Sequence, residues 1–468
     1  MLAQSSAMEP QNNKKVIRAW TMYDWANSVY SLVITSTIFP IYYNSVTSTP
    51  DPVDADYVNF LGFNIVNTVL YSYALSFSFL LIAILSPILS GIADYSGAKK
   101  SFMKFFVTLG SLACMGLYFF NGDNIEYGIL CAVLASIGFG GSIVFYNSYL
   151  PEITTPDNFD KLSARGFALG YIGSVILMVF NLTMVLMPQW YFNVEGKFQE
   201  LTALHPNTGP AEIMDMAKSS FAGIASRISF LTVGIWWFGF SQYTFAYLPA
   251  GARKADLRPD DNILLKGFRT LRHIWQSLKM LQGARIFLVS FFFYNMGVQT
   301  VMYLAATFGE KELHLASGDL ITAILLIQVV AIAGAYLFAA ISKRKGNILS
   351  ISVMLVIWIG VCIGAYFVNG ANQFFALAFV VGLIMGGIQS LSRSTYSKFL
   401  PEAEDHTSYF SFYDVAEKIS IVMGTFMFGF AEYITGSMRN SVLPLMLFFI
   451  AGLVILQFAR NPKLKPVK

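Results

Sequence analysis

Residues 87–100 read Pro-Ile-Leu-Ser-Gly-Ile-Ala-Asp-Tyr-Ser-Gly-Ala-Lys-Lys, and the interpretation of the whole chain starts from this stretch. An apolar run ends here in a carboxylate at Asp94, a glycine at Gly97 and two basic residues, Lys99 and Lys100. Gly97 allows a tight turn, and the Asp94 carboxylate is suited to the N-terminus of a neighbouring helix or to a basic partner. The two lysines favour the cytoplasmic side of a membrane. The stretch therefore predicts a cytoplasmic turn between two membrane helices.

Long apolar runs continue on both sides of this turn. Of the 468 residues, 55% are hydrophobic and only 12% are charged, whereas soluble domains carry about 25% charged residues. A run of about 20 apolar residues spans the hydrocarbon core as a helix. We therefore predict an all-α integral membrane protein with twelve transmembrane helices. The predicted spans are residues 20–43, 68–93, 101–120, 125–149, 166–187, 226–248, 285–308, 319–341, 348–368, 373–397, 408–433 and 441–458.

The spans fall into two groups of six, which predicts two six-helix bundles. The sequence Leu-Pro-Glu follows both the fourth and the tenth span, at Leu150 and Leu400, and this repetition at equivalent places indicates a parallel duplication. The predicted domains are an N-terminal tail (1–19), an N-terminal bundle (20–248), a linker (249–284), a C-terminal bundle (285–458) and a C-terminal tail (459–468).

The distribution of basic residues predicts the orientation. With both termini in the cytoplasm, 24 of the 31 lysine and arginine residues lie on the cytoplasmic side, as the positive-inside rule requires. No cleavable signal peptide is evident, because the first 19 residues are polar and the next run contains Asp24 and Asn27. The external segment 188–225 contains no motif and is predicted to fold as a small cap.

The linker between the two groups is basic and amphipathic. Its apolar residues at helical spacing are Leu264, Phe268, Leu271, Trp275 and Leu278. Its basic residues, mostly off that stripe, include Lys266, Arg269, Arg272 and Lys279. The pattern predicts a helix on the cytoplasmic surface of the membrane. A calmodulin-type target helix is the alternative interpretation.

Five ionisable residues inside predicted spans are candidates for function, because a charge at the bilayer centre costs roughly 3 kcal/mol on insertion scales. They are Asp24, Arg393, Asp414, Glu417 and Lys418. Asn27 and Ser28 share one helical face with Asp24, Gln389 lies four residues before Arg393, and Asp414 lies four before Lys418. We interpret these eight residues as the substrate or proton pathway. Within that set, depth predicts that Asp24, Arg393 and Asp414 form a cytoplasmic gate and that Glu417 and Lys418 contact the substrate or a proton.

Two structural interpretations compete with this one. Asp414 and Lys418 are spaced to neutralise each other as a purely structural pair, and Asp24 and Arg393 lie near enough to the span ends to reach the interface. Glycines form a second pattern, at Gly138, Gly140, Gly141, Gly166, Gly170, Gly173, Gly382, Gly386 and Gly387. Small residues at such spacing predict close helix packing, with flexible points for rocking as a compatible alternative.

The remaining reactive residues point away from enzymatic chemistry. The three cysteines lie in apolar runs and the four histidines in predicted loops. No metal-ligand spacing, nucleophile motif or phosphate-binding loop is present. We therefore predict no enzymatic activity, no catalytic residue, no metal or other cofactor and no nucleic-acid partner.

The stretch at 87–100 resembles the cytoplasmic loop motif between helices 2 and 3 of the major facilitator superfamily. The first glycine is offset to Gly91, and Tyr95 and Ala98 stand where arginines are common in that superfamily. The equivalent loop of the second half, residues 342–346, lacks the acid.

A narrower resemblance is to the vacuole-effluxer-like branch of the superfamily, which has bacterial members and a fungal vacuolar amino-acid exporter. The stretches that carry it begin at Trp20 (WTMYDWANS), Ile38 (IFP), Leu150 (LPE), Ser163 (SARGFALGY), Gly386 (GGIQSLSRS) and Phe412 (FYD, with Lys418). They are spread over residues 20–424. The resemblance implies a major-facilitator-like fold with a central cavity.

The resemblance also implies a function and two groups of residues. The function is secondary active transport, by alternating access, of an amino acid or similar small organic solute, with export and proton coupling as open points. The implied cytoplasmic gate comprises Asp94, Gly97, Lys99, Lys100, Glu152 and Arg165. We expect a monomer in the bacterial inner membrane whose partners are the lipid bilayer, the solute and the coupling proton. The alternatives are a non-transporting receptor or scaffold on a transporter fold, or a carrier of another metabolite or drug.

Overall fold

A computed structural model describes residues 12–48, 56–250, 263–402 and 405–459. The predicted tails at 1–19 and 459–468 and the linker at 249–284 therefore lie partly outside the described residues. The first half consists of α1 (Lys14–Val29), α2 (Ile38–Thr47), β1 (Tyr57–Phe60), β2 (Phe63–Val66), α3 (Asn67–Ser96), α4 (Lys99–Gly116), α5 (Ile125–Ser148), α6 (Leu150–Ile153), α7 (Phe159–Leu186), α8 (Val194–Leu204), α9 (Pro210–Ser219) and α10 (Ala222–Tyr247).

A helix within the linker, α11 (Ile263–Met280), leads into the second half. That half consists of α12 (Gln282–Leu313), α13 (Ser317–Lys345), α14 (Asn347–Phe367), α15 (Ala371–Phe399), α16 (His406–Thr435) and α17 (Met438–Leu456). The end of the assembly at which α1 begins, α3 ends and α4 begins is called the Lys14 end below.

Among the described residues, ten helices are long and apolar enough to cross a membrane, so the chain is a multi-pass membrane protein. Two helices that coincide with predicted spans, α1 and α16, fall outside these ten. α1 has only 16 residues before the backbone changes its geometry, and α16 contains Asp414, Glu417 and Lys418. Both helices carry ionisable residues of the predicted pathway, with Asp24 on α1.

The first predicted span is broken rather than straight. α1 begins at Lys14, six residues before the apolar run, because the Asn13 side chain caps it by accepting a hydrogen bond from the Lys15 backbone N–H at 3.0 Å. A π-helical segment, Tyr30–Thr35, then separates α1 from α2. Pro40, in the first turn of α2, has no N–H to donate back along the chain. At the junction of the π-helical segment and α2, Thr37 Oγ1 donates to the Leu32 carbonyl at 2.7 Å.

One element differs from the all-α prediction, whereas the external segment folds on itself as the predicted small cap. β1 and β2 form an antiparallel hairpin, and positive φ angles at Leu61 and Gly62 (52° and 86°) form its turn. The external segment contains α8 and α9, which share a small core of Val194, Leu201, Ile213 and Ala217. The hairpin was missed because its residues do not alternate clearly between apolar and polar.

Two large apolar clusters fill the interior. One contains buried residues between Val16 and Leu248, and the other, apart from Tyr171, contains residues between Ile274 and Ala459. Within the first half α1 packs on α7 and α10, and α4 packs on α5. Within the second half α12 packs on α16 and α17, and α13 packs on α15. The halves meet where α7 contacts α13 and α15, and where α3 and α5 contact α16.

Glycines set the spacing at several of these helix crossings, which confirms the close-packing interpretation. A Cβ atom at Gly138 would overlap the backbone of Gly110 on α4, and one at Gly386 would overlap the backbone of Ala331 on α13. Because backbone atoms cannot turn aside as flexible side chains can, only glycine is accommodated at these two crossings without moving a helix.

We predict that Gly386→Val lowers the free energy of unfolding by about 1–3 kcal/mol, because α13 and α15 must separate to accept the side chain. Thermal unfolding of the purified protein in detergent measures the change. Gly360→Val on α14 is the matched control, since a Cβ there has no neighbour within 4 Å. Equal melting temperatures for the two variants would contradict the packing role of Gly386.

Candidate functional site

Arg393 on α15 lies at the centre of a buried polar cluster that joins the halves. Its guanidinium donates to Asp24 Oδ2 on α1 at 3.2 Å, to Ser163 Oγ and the Ser163 carbonyl at 2.9 and 3.0 Å, and to Asn147 Oδ1 at 3.3 Å. The side chain is only 3% exposed. A buried charge of this kind is tolerated only when its donors are matched and its charge is neutralised.

Aromatic rings complete the enclosure of Arg393. The guanidinium carbon lies 4.7 Å from the centre of the Trp20 ring and 4.3 Å from that of Phe167, on α1 and α7 respectively. Tyr146 on α5 donates its hydroxyl to Asp24 Oδ2 at 2.6 Å. Cation–π contacts of this kind strengthen when water is excluded. The Asp24–Arg393 pair is therefore a neutral cluster held by three helices of the first half and one of the second.

A second cluster lies deeper, on α16. Lys418 Nζ is 3.3 Å from Asp414 Oδ1 and 3.2 Å from Glu417 Oε2. Ser86 on α3 donates to Asp414 Oδ2 at 3.1 Å. A Cβ at Gly140 on α5 would be 3.4 Å from Lys418 Cε, so the α5 backbone passes close by. One lysine thus faces two carboxylates at a crossing of helices from both halves.

Exposure separates the two carboxylates of this cluster. The side chains of Asp414 and Lys418 are 3% and 5% exposed, whereas that of Glu417 is 23% exposed. Asp414 also lies outside the hydrogen-bonded group around Arg393, so the three residues expected to form one gate belong to two clusters. Only Asp24 and Arg393 contact each other directly.

The other predicted pathway residues take separate positions. Asn27 is buried on α1, and Ser28 Oγ donates to its Oδ1 at 3.4 Å. Gln389 on α15 accepts a hydrogen bond from the Tyr171 hydroxyl on α7 at 2.6 Å. Its amide Nε2 is 3.2 Å from the sulfur of Met302 on α12. Gln389 therefore joins the halves one helical turn farther from the Lys14 end than Arg393.

The residues of the quoted stretch come together at the Lys14 end. Asp94 Oδ2 accepts a hydrogen bond at 2.6 Å from the backbone N–H of Ser408, in the first turn of α16. Gly97 has a left-handed backbone with φ of 68° and ends α3. Lys99 Nζ binds Glu152 at 2.5 Å, and Lys100 Nζ donates to the Leu248 carbonyl at 2.7 Å. The carboxylate at the start of a helix in the other half is stabilised by the helix dipole.

Arg165 does not join this group. Its side chain is exposed on α7, and no ion pair of Arg165 occurs among the described residues. Glu152, by contrast, reaches across to the second half, where His406 Nδ1 lies 3.7 Å from its Oε1.

A third cluster was missed by the sequence interpretation. Asp160, in the first turn of α7, accepts hydrogen bonds from Ser342 at 2.8 Å and Asn347 at 2.9 Å, at the α13–α14 turn. Lys398, near the end of α15, binds Asp160 Oδ2 at 2.6 Å. The loop at 342–346 has no acid of its own, and the first half supplies one. The sequence held one signal for this cluster, namely the absence of an acid from the loop at 342–346. The hydrogen-bond donors of that loop need an acceptor from elsewhere in the chain.

All hydrogen bonds that join the two halves among the described residues lie toward the Lys14 end. They run from the helix ends, where Asp94 binds Ser408, up to the level of Gln389 and Asp414. The two halves are therefore fastened at one end of the assembly. Within the described ranges, no group of three or more His, Cys, Asp or Glu residues could hold a metal ion.

Comparison with known proteins identifies the family. The family model for "Vacuole effluxer Atg22 like" proteins matches residues 12–204 and 211–465. The chain belongs to this family. A relative of this Atg22-like chain, the "Uncharacterized MFS-type transporter YxiO" of Bacillus subtilis (strain 168), is 30% identical over 94% of both chains. "Autophagy-related protein 22" of Kluyveromyces lactis is 25% identical over 97% of this chain and 95% of its own length.

Solved structures agree with this assignment at the level of the fold. The crystal structure of the major facilitator superfamily transporter FucP superposes with a TM-score of 0.65 at 14% identity, covering 96% of this chain and 98% of FucP. The Atg22-like chain is therefore an MFS-type transporter, in a superfamily of transporters rather than enzymes, and the resemblance to the vacuole-effluxer-like branch is confirmed.

We predict that Arg393→Lys loosens the Lys14 end, because lysine cannot make the four planar contacts or stack on the aromatic rings. A cysteine at Ala164, buried where α7 meets α13, reports opening through its rate of thiol labelling. Loss of about 1.4 kcal/mol corresponds to about tenfold faster labelling.

The native cysteines at 114, 131 and 362 are buried and are replaced by serine for this assay. Arg344→Lys, at an exposed position of the same end, is the matched control. If Arg393→Lys labelled no faster than Arg344→Lys, the cluster would not hold the halves together.

We predict that Asp160→Asn lowers the free energy of unfolding by about 3 kcal/mol, because it leaves Lys398 buried without its counter-charge. Asp157→Asn, an exposed carboxylate three residues earlier, should have little effect. The double variant Asp160→Asn/Lys398→Met should be more stable than Asp160→Asn alone. Thermal unfolding of the wild type, Asp160→Asn, Lys398→Met and the double variant measures this coupling, and simple additivity of the two single effects would contradict the pair.

Proposed function

We propose that this protein is a secondary active transporter that moves a small organic solute by alternating access. The observation that carries the proposal is the Asp414–Glu417–Lys418 cluster. It stands in the middle of a membrane helix, and its α16 helix packs against helices of both halves. Ionisable groups at this depth mark substrate or proton pathways in membrane proteins. Carriers of this kind hold their substrate near the midplane, between two halves that rock against each other.

We further propose twelve spans in two six-helix bundles. The two separate apolar clusters support a division into two packed units. α1 with α2, and α16, would complete six spans in each half. Both carry ionisable residues in buried positions, Asp24 on α1 and Asp414 and Lys418 on α16. A polar face is compatible with a membrane span when it is turned to the bundle interior.

We assign the Lys14 end to the cytoplasm and the protein to the plasma membrane of a bacterium. The positive-inside rule supports this orientation, since the lysines and arginines concentrate at that end. The similarity to a Bacillus subtilis protein supports the location. With this orientation, the contacts of Arg393, Asp94 and Asp160 form the cytoplasmic gate, and the described conformation is closed on the cytoplasmic side.

An amino acid is the proposed solute. A zwitterion can place its carboxylate on Lys418 and its ammonium group on Glu417, the most exposed acid of the cluster. The similarity to vacuole effluxers supports the carrier role of the protein, and export of the solute is proposed as its direction.

Proton coupling follows from the charge of the same cluster. Two carboxylates share one lysine, which leaves one negative charge in a region of low polarity. A proton or the substrate ammonium would neutralise that charge, and we propose that the two compete for Glu417. Asp414 is the second candidate, but its two oxygens already contact Lys418 and Ser86.

The test is uptake of a panel of labelled amino acids into proteoliposomes, with and without an imposed pH gradient. We expect substrate-specific flux that follows the gradient. Lys418→Met should reduce the flux at least about tenfold, because a hydrogen bond to a charged group contributes roughly 1.5–3 kcal/mol. Glu417→Gln should weaken the flux, because the substrate ammonium group loses its partner, and should abolish the response of the remaining flux to the gradient. Lys311→Met and Glu310→Gln, adjacent exposed residues on α12, are the matched controls.

Each other result has a defined meaning. Flux that does not respond to the pH gradient would support a carrier and contradict proton coupling. Flux of other metabolites but no amino acid would replace the substrate class. No flux of any solute, from protein that is folded by its melting curve, would favour a receptor or scaffold on a transporter fold.

A further inference from the structure

The linker helix α11 contacts both halves at the Lys14 end. Gly267 lies against α3, where a Cβ at Gly91 would come within 2.5 Å of the Gly267 carbonyl oxygen. Ile274 and Leu278 are buried and belong to the apolar cluster of the second half. The Trp275 ring lies 5.4 Å from that of Phe412 on α16. α11 therefore bridges α3 and α16, whose relative position must change if this end opens.

This contact explains the offset glycine in the quoted stretch. Gly91 is where α11 crosses α3 backbone to backbone, so the crossing requires glycine on both helices. It also changes the expected role of the amphipathic pattern. Ile274 and Leu278 face protein, not lipid, and the apolar face of α11 is largely occupied.

The opposite face of α11 is basic and has no counter-charge of its own. Arg269, Arg272 and Lys279 are exposed on that face. Residues 263–280 include no aspartate or glutamate. Trp275 is 47% exposed at the edge of this face, and Lys279 Nζ lies 5.1 Å from its ring centre. Exposed tryptophan beside basic residues is typical of segments that sit at the headgroup level of a membrane.

We propose that this face binds the phosphate groups of anionic phospholipids, and that the bound lipid keeps α11 in place across α3 and α16. Lipid phosphates are the anions nearest to a basic helix at the cytoplasmic surface, and each lysine or arginine there adds to the attraction. Anionic lipid thereby favours the conformation closed at the Lys14 end. The proposal rests on the proposed function only in placing this end at the cytoplasmic surface.

The first test measures lipid binding to the purified full-length protein, with phosphatidylglycerol as the probe and phosphatidylcholine as the neutral reference. Native mass spectrometry counts the lipids retained at each concentration. Arg269→Gln/Arg272→Gln/Lys279→Gln should bind phosphatidylglycerol roughly 100-fold more weakly, at about a factor of five for each charge. The control variant Lys343→Gln/Arg344→Gln/Lys345→Gln removes three charges from α13 at the same end of the protein. It should retain the binding of phosphatidylglycerol.

Two outcomes would overturn the lipid site. Equal loss in both triple variants would mean unspecific attraction to the basic end of the molecule. Retained binding in the α11 variant would mean that the lipid binds elsewhere.

The second test measures the effect on conformation, without any solute. Spin labels at Ser101→Cys on α4 and Leu349→Cys on α14, exposed positions in opposite halves at this end, report the distance between the halves. In wild-type protein, liposomes with phosphatidylglycerol should increase the population of the shorter distance relative to phosphatidylcholine alone. The α11 triple variant should show no response to lipid.

Gly91→Val separates the bridge from the binding surface, because it displaces α11 from α3 but keeps all three charges. It should bind phosphatidylglycerol yet show no lipid-dependent change in distance. If the distance distribution of the wild-type protein does not change with lipid composition, the bridging role of α11 is wrong. Neither measurement depends on flux, so a chain that transports no solute at all would refute the proposed function and leave these results interpretable.

Discussion

The structure depends on how charges are neutralised away from water. An unmatched guanidinium inside a membrane protein is expensive, and Arg393 is matched by Asp24, Ser163, Asn147 and three aromatic rings. Those partners come from α1, α5 and α7, so satisfying one side chain of the second half fixes three helices of the first. The contacts at Asp94 and Asp160 repeat the same arrangement at the rim, and together they hold the halves in one relative position.

Much of the fold was predictable from the sequence because apolar length is a direct physical signal. Every long helix except α1 and the linker helix α11 follows a predicted span within a few residues, apart from extra turns such as the start of α7 at Phe159. What hydropathy could not give is local backbone geometry. The π-helical break before Pro40 and the hairpin at Leu61 and Gly62 depend on single hydrogen bonds and positive φ angles, which leave no periodic trace.

The sequence could predict residues of the candidate site only where a charged side chain stands in an apolar run. Asp24, Arg393, Asp414 and Lys418 were found because a charge in an apolar run is conspicuous. Asp160, Ser163 and Tyr146 were not, since an acid at a helix start, a serine and a tyrosine are ordinary in sequence. Which charge pairs with which is also set by tertiary packing, and Asp414 lies with Lys418 and not with Arg393.

The ion pairs that cross between the halves, and the carboxylate that caps α16, have a consistent polarity. The first half contributes the carboxylates of Asp24, Asp94 and Asp160, and the second contributes the guanidinium of Arg393, the start of α16 and the ammonium of Lys398. Two copies of the first half would bring carboxylate against carboxylate, and two copies of the second would bring cation against cation. A duplicated ancestor therefore could not have used this arrangement as a homodimer. The sorting of charge makes the halves mutually dependent, so that each unit recognises only its unlike neighbour within the same chain.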